Sequence, residues 1–206
     1  MPTYDRTEAL PRPARKGDLS LEELLARRQS RRSFRSDSLS IGLLSQMLWA
    51  AYGLRDSVEF ERTVPSAGAR LPLTILACTG KDSIQGLDEG IWEYVAANHL
   101  VGRVFGEDVR VPLAAAAYHQ RFIAAAPVCI AIAAKFAKTT SRYGERGIRY
   151  VHIDVGHVGQ NIYLQAEGLG LGTVAVGAFD DDTVARALKL SPPLVPLYLM
   201  PVGHPA

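Results

Sequence analysis

The segment 150–167, YVHIDVGHVGQNIYLQAE, is the longest helical pattern in this sequence. Its apolar residues recur at intervals of three and four and share one helical face: Val151, Val155, Val158, Ile162 and Ala166. Gly156 and Gly159 interrupt the pattern, although glycine costs a helix about 1 kcal/mol relative to alanine. The two glycines therefore predict close backbone packing against another helix.

Helices and strands alternate on both sides of this segment. Ser20, with Glu23 at capping-box spacing, predicts one helix start, and Ser40 predicts a second helix that ends at Gly53. Further helices are predicted over 98–105, 111–118 and 180–188, and strands over 73–79, 91–95, 128–134, 173–176 and 197–202. Strands separated by helices indicate an α/β or α+β domain with helices packed on a sheet.

Composition places the chain among ordinary globular proteins. It has 206 residues, of which 48% are hydrophobic, enough for one domain with a real core. A net charge of +2 without a long basic run argues against a nucleic-acid partner. Residues 1–18 are rich in proline and predict an extended arm, and 19–206 predict a single domain.

The same composition bears on location and on cysteine chemistry. The longest uncharged apolar stretch, 122–134, is shorter than a membrane span and is broken by Pro127, so no membrane association is expected. Cys78 and Cys129 each lie in an apolar run and predict buried thiols rather than a disulfide. We therefore expect a reducing cytoplasmic location.

Two loops carry the residues that suggest chemistry. The first contains Arg31, Arg32, Ser33 and Arg35 between two predicted helices. Arginine forks and a serine hydroxyl suit a phosphate, although arginine clusters also occur on solvated surfaces. The second loop, 65–72, has two prolines, a glycine and small residues, which are typical of a shaped binding loop.

Other motifs are excluded on spacing or context. Residues 170–175 match GxGxxA, but a helix precedes and a strand follows, the reverse of a dinucleotide fingerprint. His152 and His157 are five residues apart, which does not suit a helical metal site, so no metal is expected. The acidic run 180–182 is explained by a helix N-terminus. From pattern alone, the chain is an anion or cofactor binder.

Six motifs occur in order along the chain: Arg31-Arg32-Ser33-Phe34-Arg35, Pro65-Ser66-Ala67-Gly68-Ala69, 143–150, 156–161, 168–173 and Gly177-Ala178-Phe179-Asp180-Asp181. In this order, over roughly residues 20–204, the sequence resembles the FMN-dependent nitroreductase superfamily. The branch that it most resembles is the SagB/ThcOx-type dehydrogenases, which include azoline oxidases of peptide natural-product pathways. The resemblance implies an α+β fold with a central mixed sheet flanked by helices. It also implies a homodimer built on the long helix, with FMN at the subunit interface.

The resemblance also implies roles for individual residues. Arg31, Arg32 and Ser33 match the loop that holds the phosphate and ribityl end of FMN, and Arg35 matches a basic position near the flavin pyrimidine edge. The second subunit's Pro65, Ser66, Ala67 and Gly68 match the loop laid against the isoalloxazine ring. The segment that approaches flavin N5 is matched by Val176, Gly177 and Ala178.

Two features depart from that family pattern. Many members carry a further basic phosphate ligand after the final strand, for which this chain offers only His204. Azoline oxidases carry a Leu-Lys-Tyr motif where this chain has Ser141-Arg142-Tyr143. A permanently charged arginine is a poor general base, which leaves Tyr143 as the catalytic candidate.

Three functions follow as hypotheses. The first is an FMN-dependent oxidoreductase that passes hydride from NAD(P)H or an organic donor to an acceptor such as a nitroaromatic or quinone. The second is a dehydrogenase of azoline-type heterocycles that works with a cyclising partner protein. The third is a flavin-binding protein without enzymatic activity.

Overall fold

The structure is a computed structural model that describes residues 4–55 and 61–206. Its strands are β1 Thr7–Ala9, β2 Leu39–Ser40, β3 Leu73–Thr79, β4 Ile84–Gln85, β5 Gly90–Val95, β6 Leu100–Phe105, β7 Val128–Ala134, β8 Gly172–Thr173 and β9 Val195–Gly203. Its helices are α1 Leu21–Arg27, α2 Ile41–Tyr52, α3 Arg110–Ala116, α4 Phe122–Ala125, α5 Ala137–Tyr143, α6 Arg146–Gly168 and α7 Asp181–Ala187.

Seven strands form the central sheet, in the order β1-β6-β5-β3-β7-β9-β8. Neighbouring strands in this sheet pair antiparallel, and β2 and β4 form a separate parallel pair. Both kinds of pairing therefore occur, and the helices flank the sheet on both faces. The predicted α+β class, with a sheet flanked by helices, is confirmed; within the described residues the parallel pairing lies in the separate β2–β4 pair.

Alternating residues of the central strands contribute to two separate hydrophobic cores, one on each face of the sheet. Ile75 and Ala77 of β3 pack with apolar residues of α2 and α6 on one face. Leu76 and Cys78 face the other way and pack with α3, α4 and α7. This alternation follows from the two-residue period of a strand. The strands β3 and β7, fully enclosed between helices, accordingly have almost continuous apolar sequences.

The caps predicted for three helices are present. Ser20 and Glu23 form a reciprocal capping box at α1. The Ser40 side chain accepts a hydrogen bond from the backbone N–H of Leu43 at α2, and Asp180 does the same for α7. Gly53 is the residue at which α2 ends, as predicted. Each of these caps satisfies an N–H group that the first helical turn leaves without a partner.

The helix predicted over 98–105 is wrong. This segment contains β6, which forms a hairpin with β5 and also pairs with β1. Val101, Val104 and Phe105 favour a strand once partners are available on both sides. The amino-terminal arm supplies one of those partners, because Thr7–Ala9 pairs with 100–102.

The long helix α6 buries the face predicted for it and leaves another face exposed. Gly159 packs on the ring of Tyr198 in β9, where an added Cβ would lie 3.4 Å from the ring, so its neighbour in this chain is a strand. Gly156 is exposed, and an added Cβ there would meet nothing within 4 Å. The helix partner predicted for the glycines is therefore not found at Gly159. Gly156 lies on a face of α6 that is open to solvent.

The two cysteines are buried, free and opposite each other. Cys78 in β3 is paired in register with Cys129 in β7, and both are fully buried. Burial raises the pKa of the Cys129 thiol to about 12 and raises that of Cys78 as well. The prediction of buried structural thiols is confirmed.

Candidate functional site

The arginine loop lies at the β8 edge of the sheet and runs beside the end of the chain. The backbone N–H of Arg31 donates to the carbonyl of Thr173 at 2.9 Å, and that of Arg35 donates to the carbonyl of His204 at 2.9 Å. The N–H of Ala206 donates to the carbonyl of Ser33 at 3.2 Å. The structure therefore brings the predicted loop and His204 together.

The arginines in this loop differ in how far they are already engaged. Arg31 packs against Gly172 and forms an ion pair with Glu167 of α6 at 3.0 Å. Its Nε atom is buried and has no hydrogen-bond partner within the described part of the chain. Arg35 pairs with Asp37 at 2.8 Å, whereas Arg32 and Ser33 are exposed. Arg31 thus anchors the loop to α6, and Arg32 and Ser33 are the side chains free to meet a ligand.

Tyr163 of α6 links two segments at this edge of the sheet through hydrogen bonds. The sequence did not predict this role. The Tyr163 hydroxyl accepts a hydrogen bond from the backbone N–H of Ala175 at 2.8 Å and shares another with the Ser30 hydroxyl at 2.9 Å. The guanidinium of Arg28 lies 5.3 Å from the ring centroid, within cation–π range. Nothing in the sequence distinguishes Tyr163 from other helical tyrosines, because its role depends on two loops that are distant in the chain.

The segment 176–178 continues along the same edge. Val176 is buried and exchanges backbone hydrogen bonds with Leu199 at 2.9 and 3.0 Å. Gly177 and Ala178 are exposed, and the Ala178 carbonyl accepts from the Gln120 side chain at 3.1 Å. An added Cβ at Gly177 would lie 3.3 Å from the Tyr198 ring. The backbone of Gly177 is therefore open to solvent but held in place.

The second predicted loop, around residues 65–71, is pinned to α6 by a buried carboxylate. The Ser66 hydroxyl donates to Asp154 Oδ2 at 2.7 Å and accepts from the backbone N–H of Leu71 at 3.1 Å. Three residues here have left-handed φ angles: Gly68 at 57°, Ala69 at 51° and Leu71 at 48°. The two non-glycine residues carry a steric cost, so the Ser66 hydrogen bonds hold a strained backbone in place.

The role of Asp154 was also not predicted, although an acidic residue on the apolar face of a predicted helix is a signal for it. Asp154 lies three residues after Val151 and one before Val155, on the apolar face of the predicted helix, and is only 3% exposed. Burial raises the pKa of its carboxyl group, while the hydrogen bonds from Ser66 and the Ala67 backbone act in the opposite direction. A carboxylate on an apolar face needs hydrogen-bond donors, and the loop provides them.

Tyr143 lies against this second loop. A Cβ added at Gly68 would lie 2.4 Å from the Tyr143 hydroxyl oxygen and 3.3 Å from Arg142 Nη1. The Tyr143 ring also meets the Tyr150 ring edge-on, with centroids 5.2 Å apart. The structure therefore places the candidate catalytic residue beside Pro65, Ser66, Ala67 and Gly68 of its own chain.

The two groups of residues are anchored at different positions along α6, one at Asp154 in the first half of the helix and one in its last two turns. Asp154 holds the loop around Gly68, and Glu167 and Tyr163 hold the arginine loop. The 13 residues from Asp154 to Glu167 span about 20 Å at the α-helical rise. No hydrogen bond or ion pair within residues 4–55 and 61–206 links the two groups. Within one chain they are therefore two separate half-sites.

The residues at the sheet edge fit a cofactor that has both a phosphate and a flat ring. The exposed Arg32 and Ser33 offer donors for a phosphate, and the exposed backbone at Gly177 permits close approach by a ring. Thr173 Oγ1 and Arg31 Nε are buried polar atoms that lack a protein partner in the described regions. The ion pairs of Arg31 and Arg35 leave less of their charge available than the sequence suggested.

Residues 4–55 and 61–206 contain neither a metal site nor a membrane-spanning helix. No group of three or more histidine, cysteine or acidic residues there could hold a metal ion. Within the same residues, no helix has the length and apolar character needed to cross a bilayer.

Comparisons with known proteins agree with this architecture. The Nitroreductase family model matches residues 25–204. A Methanocaldococcus jannaschii protein that is named as a nitroreductase is 47% identical over 187 residues, covering 91% of this chain and 92% of that one. The trifolitoxin-processing protein TfxB of Rhizobium leguminosarum is 27% identical over 169 residues, covering 76% of this chain but 44% of its own length.

A solved structure gives the same result for the fold. A Ralstonia eutropha protein described as a nitroreductase superimposes with a TM-score of 0.86 at 24% sequence identity, covering 100% of this chain and 92% of that one. At this identity the likeness concerns the fold. Because the Nitroreductase family model matches residues 25–204, which are most of this chain, the chain belongs to the nitroreductase family.

Proposed function

We propose that this oxidoreductase-family chain is an FMN-dependent enzyme that uses NAD(P)H or an organic hydride donor. Its acceptor would be a small molecule such as a nitroaromatic or a quinone. FMN, when bound, supplies a hydride-accepting N5 atom, and the protein supplies binding, orientation and charge. The observation that carries the proposal is the open edge formed by Arg32, Ser33 and the Gly177 backbone.

The chain's own residues have distinct parts in this proposal. Arg32 and Ser33 bind the cofactor phosphate, and Arg31 keeps their loop against α6 through Glu167. The Gly177 backbone, held in place by the hydrogen bonds of Val176, would line the ring of the cofactor. Arg35 and His204 lie next to each other at the same edge and add positive charge or hydrogen bonds.

The separation of the half-sites favours a homodimer. The loop that contains Pro65–Gly68 is anchored to α6 at Asp154 and the arginine loop at Glu167, positions about 20 Å apart along the helix. This separation argues against one chain closing both loops around the same ring. The exposed face of α6 includes Ile148 and Ile153, each 46% exposed, and Gly156. A second subunit that covered this face would bring its own Pro65–Gly68 loop to the first subunit's sheet edge.

A second candidate function is dehydrogenation of azoline-type heterocycles in peptide maturation. Its support is the sequence relationship to TfxB, a trifolitoxin-processing protein. Tyr143, beside Gly68, is the residue available to accept or donate a proton in that reaction. Arg142 lies where a base would be needed and stays charged, which makes this the weaker candidate.

The proposal is tested by the flavin content of the purified protein. Wild-type protein is expected to be yellow, with close to one flavin per chain, and its flavin to be reduced by NADH or NADPH without oxygen. Replacing Arg32 and Ser33 together by alanine should lower flavin occupancy at least about tenfold, because charge-assisted phosphate contacts are worth about 1.5–3 kcal/mol. The control is Arg27→Ala, an exposed arginine on α1.

Two results would contradict the proposal. Colourless wild-type protein that gains no flavin absorbance after incubation with FMN would refute the cofactor. An Arg32→Ala/Ser33→Ala variant with full flavin content and an unchanged circular dichroism spectrum would refute the assignment of the loop. Reduction by a heterocyclic substrate but not by NADH or NADPH would favour the second candidate function.

A further inference from the structure

Four basic residues lie around the loop that holds Gly68: Arg62, Arg70, Lys135 and Lys138. We refer to them as the basic cluster. Arg70 Nε donates a hydrogen bond to the Lys138 carbonyl at 2.6 Å, and Lys138 Nζ donates to the Leu71 carbonyl at 3.1 Å. These bonds fix both side chains against the loop. The cluster therefore borders the half-site that contains Tyr143.

Among the described residues, the basic cluster has no acidic partner in an ion pair. In the described part of the chain, none of its four members has a carboxylate oxygen within 4.0 Å. Arginines elsewhere are neutralised in this way, including Arg31 by Glu167, Arg103 by Asp5 and Arg110 by Asp108. The cluster thus leaves a local excess of positive charge beside the loop.

Arg62 carries the clearest sign of a missing partner. Its Nε and Nη1 atoms are both buried and have no hydrogen-bond acceptor among the described residues. The guanidinium carbon lies 5.3 Å from the centroid of the Tyr52 ring, which stabilises the charge but accepts no hydrogen bond in the guanidinium plane. Burying a charged donor without an acceptor is costly, so an anion at this position would satisfy both nitrogens.

The members of the cluster are close enough to affect one another. The pKa of Lys138 is lowered, first by burial and then by the positive charges of Lys135, Arg62 and Arg70. Glu93 acts in the opposite direction but is itself half-buried, and its own pKa is raised by burial. A bound anion would relieve this repulsion.

We infer that the basic cluster is a binding site for a phosphoanion and that it receives the pyrophosphate of a nicotinamide dinucleotide donor. The inference rests on the proposed function, because it places the donor beside the loop that approaches the flavin ring. Several cations distributed over a surface suit an extended polyanion better than a single carboxylate. Arg142, next to Gly68, adds a further positive charge to this surface.

The test is binding of inorganic pyrophosphate to the FMN-saturated protein, measured by isothermal titration calorimetry. Saturation with FMN keeps pyrophosphate from the arginine loop. Arg70→Met and Lys135→Met are each expected to weaken pyrophosphate binding about three- to tenfold, the usual range for loss of one partly exposed charge contact. Lys135 makes no side-chain hydrogen bond within the described residues, so its replacement leaves the loop intact.

A matched control and a second ligand sharpen the result. Lys81→Met removes an exposed lysine in the turn after β3 and should leave pyrophosphate binding unchanged. NAD⁺ should lose affinity in the same variants by a similar factor. Citrate, a polyanion without phosphate, should bind more weakly than pyrophosphate to the wild-type protein.

The outcomes separate this inference from the proposed function. If flavin content and NADH oxidation are normal but the cluster variants bind pyrophosphate like Lys81→Met, the inference is wrong and the function stands. Citrate binding as tight as that of pyrophosphate would also overturn the assignment to phosphate. Protein that never takes up FMN would refute the proposed function, and with it the placement of a donor at the cluster.

Discussion

Gly68 gives the sharpest test of how the second half-site is built. The residue has φ = 57°, and a Cβ added there would lie 2.4 Å from the Tyr143 hydroxyl oxygen. Gly68→Ala must therefore accept a left-handed alanine, at about 1–2 kcal/mol, and must also displace Tyr143. Forcing extra volume into a packed site costs about 1–3 kcal/mol more.

Gly170 provides a matched control for the backbone cost alone. Its φ is 67°, and an added Cβ would meet nothing within 4 Å. Gly170→Ala should lower the free energy of unfolding by about 1.5 kcal/mol, and Gly68→Ala should lower it by about 3 kcal/mol. For a chain of this size, those losses lower Tm by roughly 4–5 °C and roughly 9 °C, at about 3 °C per kcal/mol. Differential scanning calorimetry resolves this difference.

A double-mutant cycle assigns the extra cost to the Tyr143 hydroxyl. The hydroxyl makes no hydrogen bond within the described residues, so Tyr143→Phe alone should change stability by less than about 0.5 kcal/mol. In the Gly68→Ala background, Tyr143→Phe should restore about 1 kcal/mol or more of the lost unfolding free energy. Distant sites do not show such a coupling. Equal Tm values for Gly68→Ala and Gly170→Ala, or strict additivity with Tyr143→Phe, would refute the placement of Tyr143 against the loop.

Two further perturbations test the helix that carries both half-sites. Burial raises the pKa of Asp154, so its contribution favours folding at acid pH and is lost as pH rises through the folded-state pKa. The stability of Asp154→Asn relative to wild type, measured by urea denaturation, should therefore rise as pH increases above about 4. A pH-independent difference would contradict this. Gly156→Glu adds a side chain where this chain has open space and favours the helix, so each chain should keep its circular dichroism spectrum. Light scattering should then show monomers, whereas a dimer that persists would place the interface elsewhere.

The sequence predicted those elements whose signals are local. Serine caps at Ser20 and Ser40 act within one helical turn, and the apolar runs of β3 and β7 are long enough to mark buried strands. The strand β6 was missed because its preference is decided by its neighbours β5 and β1. Strand propensity depends strongly on such context, so a segment with ambiguous local signals cannot be assigned alone.

The contrast between local signals and contacts with other elements also explains which site residues were predicted. The loops around Arg32 and Gly68 stood out by composition, and the structure places Tyr143 beside the latter. Tyr163 acquires its role through contacts that include the Ser30 hydroxyl, 133 positions away in the chain. Arg62 is marked by its contact with the Tyr52 ring, which lies in a different element from Arg62. The ion pair of Arg31 with Glu167 was likewise hidden, since these residues are separated by more than 130 positions.

The length of α6 also constrains how two subunits can share a site. Asp154 and Glu167 lie on either side of residues 160–161, which are the midpoint of the interval between the two anchored loops. If a two-fold axis crosses α6 near that midpoint, the Asp154 end of one helix faces the Glu167 end of its partner, as an isologous interface requires. Gln160 at this midpoint and Gly156 one turn before it are both exposed, which permits a close antiparallel approach. In such a dimer, one helix would set both the spacing of the half-sites within a chain and their meeting between chains, so the two equivalent sites would form together.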